Sequence, residues 1–199
     1  MGYKEKVNYC ALLFAFICFF HPLKAQDNTV IVKQDKEIYI KPGLLSASAT
    51  LAPSFMLNRN EVNYFIASFL EGKFTKNFSA RGDFQFMLGN DNSKFLKNSA
   101  RVTFGLQYGM PFGNFEWRAG FAPGLAMMKS YRDESMIEFV PIAQVNVGVR
   151  FYVWKYFHFF ADAFYTHAKM HNLANVNGMA DEIRIEAGLG FNLLVKRKK

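Results

Sequence analysis

The residues Phe78–Leu88 read FSARGDFQFML, and their two-residue period decides the fold class. One set is apolar or small and consists of Phe78, Ala80, Gly82, Phe84, Phe86 and Leu88. The alternating set is more polar and consists of Ser79, Arg81, Asp83, Gln85 and Met87. Because successive side chains of a strand point to opposite faces, this stretch predicts a β-strand with one apolar and one polar face.

The same period recurs along the chain and predicts eight strands. They cover about residues 45–57, 62–74, 78–88, 100–110, 115–125, 138–151, 157–166 and 183–193. The connections 75–77, 111–114 and 153–156 are short, whereas 89–99, 128–136 and 169–180 are longer and polar. The first connection, 58–61, is short although it falls at the long-loop end. An even strand number with short turns at one end is typical of bacterial outer-membrane barrels, whose short turns lie in the periplasm.

The charges decide which face of the strands points outward. The polar faces carry five arginines and five carboxylates: Arg81, Arg101, Arg118, Arg150, Arg184, Asp83, Glu116, Glu138, Asp162 and Glu186. Each arginine facing lipid near the bilayer midplane would cost about 2–4 kcal/mol. Five would consume the whole stability of a typical domain, roughly 5–15 kcal/mol. We therefore expect these ten residues to form a polar network that plugs the barrel lumen.

The sizes of the side chains favour the same arrangement. The interior of an eight-stranded barrel is only just wide enough to be filled by side chains, and the polar faces are rich in Gly, Ser, Thr and Ala. Aromatic residues gather at the short-turn end, as in a membrane-interface girdle: Phe74, Phe78, Phe112, Phe115, Trp117, Tyr152, Trp154, Tyr156 and Phe157. The alternative is a soluble ligand-binding barrel with its apolar face inside.

Residues 1–25 have the layout of a cleavable signal peptide. Lys4 and Lys6 precede an apolar segment at 7–20, Pro22 ends it, and Ala25 supplies a small residue for cleavage. This segment is short for a membrane-spanning helix, although an uncleaved anchor is the alternative. Both cysteines, Cys10 and Cys18, lie within it, so the mature chain is expected to have no thiol or disulfide.

The remaining chain divides into three parts by composition. Residues 26–42 form a polar periplasmic extension, 43–195 the barrel and 196–199 a basic tail. The formal net charge is +8; removal of residues 1–25 leaves +6, and the tail carries +4 of that. The barrel body is therefore only weakly basic, which argues against nucleic-acid binding.

The signal peptide, eight alternating strands, charged lumen face and aromatic girdle together resemble the small OmpA/OmpX-type outer-membrane barrels. The resemblance covers about residues 43–195 and is one of pattern. One feature departs from it: many such chains end on an aromatic residue in the last strand, whereas Phe191 is followed here by Asn192 to Val195 and the basic tail. The resemblance implies a protein of the bacterial outer membrane.

No catalytic, cofactor or metal motif is predicted. His167 and His171, with Asp181 and Glu182, are a candidate Zn set, but they straddle a strand end and a loop. His158 and Asp162 could form an acid–base pair on the lumen face, although no nucleophile is evident. Gly188 and Gly190 lie in a strand without a following helix, so they do not form a phosphate loop.

The leading hypothesis is a non-enzymatic outer-membrane barrel with a structural or surface-interaction role. Its partners would be outer-membrane lipid and lipopolysaccharide, whose phosphates would meet the cationic loop residues Lys94, Lys97, Lys129, Arg132 and Lys169. The alternatives are a narrow pore, a lipid-modifying enzyme and the soluble barrel. The enzyme would need a serine, such as Ser130 or Ser135, close to His167.

Overall fold

The chain folds into one closed barrel of eight antiparallel strands, as a computed structural model shows. The structure describes residues 40–91, 95–131, 137–170 and 178–195. The strands are β1 Leu44–Met56, β2 Val62–Lys73, β3 Phe78–Asp91, β4 Leu96–Phe112, β5 Phe115–Ser130, β6 Ile137–Tyr152, β7 Phe157–Ala168 and β8 Glu182–Leu194. Each strand pairs with the next, and β8 closes the barrel by pairing with β1. The predicted eight-stranded antiparallel barrel is confirmed.

The strands extend further at the long-loop end than the sequence predicts. β3 continues to Asp91, β4 begins at Leu96 and β5 continues to Ser130, so the predicted loops 89–99 and 128–136 are too long. The ladder between β4 and β5 still pairs Asn98 with Lys129. The polar residues in these stretches therefore lie beyond the apolar belt of the wall, but their backbones still pair between strands.

Two glycines adopt positive φ where the barrel turns or closes. Gly113, at φ 59°, lies in the two-residue turn between β4 and β5. Gly43, at φ 87°, precedes β1; its N–H donates to Lys73 O, and its carbonyl accepts from Val195 N. A Cβ at Gly43 would lie 2.8 Å from Val195 O. Only glycine fits this junction of β1, β2 and β8 without strain.

The outward face of the wall is a continuous apolar belt. Leu51 is 68 % exposed, Phe104 65 % and Phe139 70 %, and large aliphatic or aromatic residues alternate outward along every strand. A soluble barrel would have the opposite arrangement, with its apolar face inside. None of the described residues forms a helix long and apolar enough to span a membrane.

Aromatic rings surround the short-turn end, as predicted, with one correction. Phe115 and Phe151 lie 4.5 Å apart between ring centroids, and Phe157 and Phe191 lie 5.7 Å apart. Tyr152, which the sequence places in this girdle, instead points into the barrel and is 3 % exposed. Its hydroxyl donates to Glu116 Oε2 at 2.8 Å, so its polar end is held by an interior carboxylate.

Candidate functional site: the barrel interior

The structure places all ten predicted network residues on the inward face of the wall. Their exposed fractions lie between 0 and 9 %, and Glu138 is the most accessible. The strand phase explains this position, because each of them alternates with an outward apolar residue. The interior is therefore rich in buried charge, and buried charges require partners.

At the short-turn end, the charges meet at Glu71 on β2. Arg150 Nη2 donates to Glu71 Oε2 at 2.9 Å, Arg118 binds the same oxygen, and Ser79 Oγ donates to Oε1 at 2.6 Å. Beside this centre, Lys73 forms an ion pair with Glu116. Two carboxylates thus hold three cations just above the short turns.

In the middle of the lumen, Arg81 bridges carboxylates from three different strands. Its Nε donates to Asp83 Oδ1 at 2.8 Å and its Nη1 to Asp162 Oδ2 at 2.7 Å, while Nη2 lies 3.5 Å from Glu186 Oε2. Arg184 donates from Nε to Glu186 Oε1 at 2.8 Å. These bonds tie β3, β7 and β8 together across the barrel.

Nearer the long loops, arginines bind one carboxylate and two amides. Arg101 pairs with both carboxylate oxygens of Glu182, and its Nη2 lies 3.1 Å from Oε2. Arg184 Nη1 donates to Gln85 Oε1 at 2.8 Å, and its Nη2 donates to Gln144 Oε1 at 3.2 Å. The polar network thus extends from the short-turn end through three levels of the lumen.

Three charged members of this network are not predicted from the sequence. Glu71 and Lys73 lie on β2, where the inward Phe65 and Phe69 interrupt the polar face and obscure the alternation. Glu182 begins β8 and is fully buried, although the sequence suggested a loop position. The pairing of β2 with β3 reveals that Glu71 points inward, because Glu71 alternates with the outward residues Leu70 and Gly72.

Aromatic rings inside the lumen stack against the guanidinium groups. Arg81 Cζ lies 4.2 Å from the centroid of Phe69, and Arg184 Cζ lies 4.6 Å from that of Phe164. Arg101 lies over Phe65 at 4.6 Å. The faces of these rings attract cations, so phenylalanines contribute to a charged interior that the sequence predicts to be lined mainly by small residues.

At the long-loop end many inward side chains are apolar, and they surround the Arg101–Glu182 pair, since Ala126 lies opposite Arg101 and Met56 lies opposite Glu182. This apolar tier consists of Ala52, Met56, Phe65, Ala67, Met87, Phe95, Leu96, Ala126, Met128, Val140, Ile142, Ala168, Met170 and Ala180, all buried and in contact as one cluster. This tier is not predicted from the sequence. Methionine is flexible enough to fill irregular space of this kind.

The candidate metal residues do not come together in the described part of the chain. His167 Nδ1 hydrogen-bonds to Asp181 Oδ1 at 2.7 Å on the outside of the wall, whereas Glu182 points inside. His171 lies outside the described residues. Among the residues that are described, no group of three His, Cys, Asp or Glu side chains could hold a metal ion.

The candidate catalytic pairs are also separated. Asp162 binds Arg81, whereas His158 is packed among the rings of Phe69, Tyr152 and Phe160. Gly190 makes room for this imidazole, because a Cβ there would lie 2.2 Å from His158 Cε1. Ser130 Oγ donates inside the barrel to Phe95 O at 2.9 Å, while His167 points outward. Ser135 lies outside the described residues.

An apolar exterior, a charged interior and eight antiparallel strands define a transmembrane β-barrel of the outer-membrane type. No protein-family model and no curated protein sequence matches the chain. Solved structures do match. The N-terminal β-barrel domain of OprF from Pseudomonas aeruginosa is 10% identical with a TM-score of 0.57, and the match covers 76% of this chain and 98% of that domain.

Two further solved structures show the same fold. The outer membrane protein OprG from Pseudomonas aeruginosa is 10% identical, with a TM-score of 0.56 over 78% of this chain and 98% of that one. Neisserial surface protein A is 12% identical, with a TM-score of 0.55 over 76% of this chain and 96% of that one. The predicted resemblance to the small OmpA/OmpX-type barrels is confirmed for the fold.

Proposed function

We propose that this protein is a closed, non-enzymatic barrel of the bacterial outer membrane with a structural or surface-interaction role. The observation that carries the proposal is the filling of the lumen by buried side chains. Ion-paired side chains occupy all three levels, and the apolar tier surrounds the level nearest the long loops. Residues 1–25, which lie outside the described residues, act in this proposal as a signal peptide that is cleaved on export.

The charged levels support closure because their ions are paired across the barrel. Arg150 of β6 binds Glu71 of β2, and Arg81 of β3 binds Asp162 of β7. An ion passing through would have to separate such pairs, and an uncompensated buried charge costs several kcal/mol. The network therefore acts as a structural brace that holds distant strands together.

The apolar tier supports closure in a different way. Met87, Met128 and Val140 are at most 4 % exposed. Their side chains offer no hydrogen-bonding group except the methionine sulfur, which is a weak acceptor. Water and hydrated ions are unfavourable in such surroundings. The lumen is thus closed both by charge pairing and by exclusion of water.

We expect the native barrel to carry no ion current in planar lipid bilayers. Barrels with Met87→Ser and Met128→Ser, or with Lys73→Ala and Glu116→Ala, should also stay silent, because the ion pairs of Glu71 and Arg81 still close the lumen. Heat-modifiable gel mobility verifies that each variant is folded. Discrete current steps from the native barrel would contradict the proposal and favour a narrow pore.

The long-loop rim supports contact with the phosphates of lipopolysaccharide. Lys97 lies 5.8 Å from the ring of Tyr131, and Lys129 and Lys169 lie on the outward side of the same rim. Cations at the level of the outer-leaflet headgroups can form charge-assisted hydrogen bonds with phosphate oxygens. The predicted contact residues Lys94 and Arg132 lie outside the described residues.

A further inference from the structure

The line where the barrel closes, between β1 and β8, lacks strand pairing at its middle. Ala47 pairs with Phe191 and Ser54 pairs with Arg184, but residues 48–53 and 185–190 have no pairing between the two strands. The break in the β4–β5 ladder is shorter and spans Phe104 and Gly105. The ladder between β5 and β6 runs from Phe115 to Lys129 without a break.

Two side-chain hydroxyls bridge the two strands where the pairing is missing. Ser48 Oγ donates to Leu189 O at 3.0 Å, and Thr50 Oγ1 donates to Ala187 O at 2.7 Å. Backbone polar groups at membrane depth must find partners within the protein, and these hydroxyls supply two such partners. A side-chain bridge is longer than a backbone ladder and holds the two strands together less rigidly.

Accessibility shows that the wall is open at this place. Ser48 and Thr50 point inward and are partly exposed, whereas the inward Ser46 and Ser54 of the same strand are 2 and 0 % exposed. The residues behind them are buried, since Phe69 and Phe160 are each 5 % exposed. The exposed hydroxyl surface therefore faces outward through the gap between β1 and β8, which we call the lateral slit.

The lateral slit has an aromatic floor and an apolar rim that includes two alanines. The rings of Phe69 and Phe160 meet edge to face with centroids 5.3 Å apart. Phe160 lies over Gly188, where a Cβ would be 3.4 Å from its ring. On the outside, the slit is bordered by Ala49, Leu51 and Pro53 of β1 and by Ile185, Ala187 and Leu189 of β8. These features form a shallow groove with apolar walls and two hydroxyls.

We propose that the lateral slit accommodates an acyl chain of a membrane lipid, which contacts Phe69 and Phe160. The slit lies at the middle of β1, within the apolar belt that contains Leu51 and Leu189, so hydrocarbon is the partner that surrounds it in the bilayer. Ala49 and Ala187 leave room for a methylene chain, and the ring faces offer it apolar contact. This role is independent of whether the lumen conducts.

Tryptophan quenching by brominated lipid chains tests the proposal. In a Trp117→Phe, Trp154→Phe background, a single reporter is introduced as Phe160→Trp at the slit floor. The control is Phe164→Trp, on the same strand and also inward, but at the height where Ser54 and Arg184 pair. The folded barrels are reconstituted into vesicles of phosphatidylcholine brominated at mid-chain, and heat-modifiable mobility confirms folding.

A larger loss of fluorescence from the Phe160→Trp barrel than from the Phe164→Trp barrel is the expected result. Equal losses would overturn the proposal, because bromine outside an intact wall would then account for both. If Phe160→Trp fails to fold, Phe69→Trp provides a second reporter at the same floor, with the same two outcomes. The fluorescence comparison does not depend on whether the barrel conducts. Its outcome is therefore separate from the test of lumen closure.

Discussion

Replacing Glu71 by glutamine is expected to lower the free energy of unfolding by about 3–5 kcal/mol, the usual cost of removing one partner from a buried ion pair. Arg118 and Arg150 both bind this carboxylate, and each is at most 3 % exposed. Glutamine keeps the size of the side chain but leaves the two guanidinium groups without their shared counter-charge. Reversible guanidinium unfolding from lipid vesicles, followed by intrinsic fluorescence, measures the change.

The control for this variant is Lys76→Gln. Lys76 is exposed in the turn between β2 and β3, so removal of its charge should alter stability by no more than about 0.5 kcal/mol. A Glu71→Gln barrel as stable as the Lys76→Gln barrel would show that the interior charges are not held by pairing. The structural role of the network would then be wrong.

The second large effect is expected from an outward residue. Phe104 lies near the middle of β4 and is 65 % exposed, so Phe104→Arg would place a charge in hydrocarbon. Near the bilayer midplane this costs about 2–4 kcal/mol, in addition to the loss of the ring's contact with lipid. The same vesicle unfolding measurement applies, and Phe104→Leu serves as the control that keeps an apolar side chain.

The two substitutions separate a membrane barrel from a soluble one. In water, exchange of an exposed phenylalanine for arginine has little effect on stability, because the outward side chain is solvated in both cases. A Phe104→Arg barrel that unfolds at the same guanidinium concentration as the Phe104→Leu barrel would therefore contradict the assignment of the outer face to lipid.

The sequence predicts the strands well where the two faces differ in polarity. On β3, Arg81 and Asp83 alternate with Phe84 and Phe86, so both the strand and its inward face can be predicted from the residues alone. On β2 the inward Phe65 and Phe69 resemble the outward residues, and the phase becomes visible only when the ladder with β3 is known. Glu71, the centre of one charged level, was missed for this reason.

The interior contacts are the part that sequence patterning could not supply. Alternation assigns a residue to a face but not to a height or a partner, and Arg81 binds Asp162, which is far away in sequence. The apolar tier was missed because Met87 and Met128 interrupt otherwise polar inner faces. The gap between β1 and β8 depends on the register of two strands that are distant in sequence.

Spin labelling along β4 tests the central claim, that this barrel turns its apolar face to the bilayer, most directly. Each barrel carries one label, attached at a single introduced cysteine, and is reconstituted into vesicles. The outward positions are Val102, Phe104 and Leu106, and the inward positions are Thr103 and Gln107. We expect frequent collisions with oxygen at the outward sites, and few with oxygen or a water-soluble nickel chelate at the inward ones. Frequent nickel collisions at Val102, Phe104 and Leu106, or the absence of alternation, would contradict the claim.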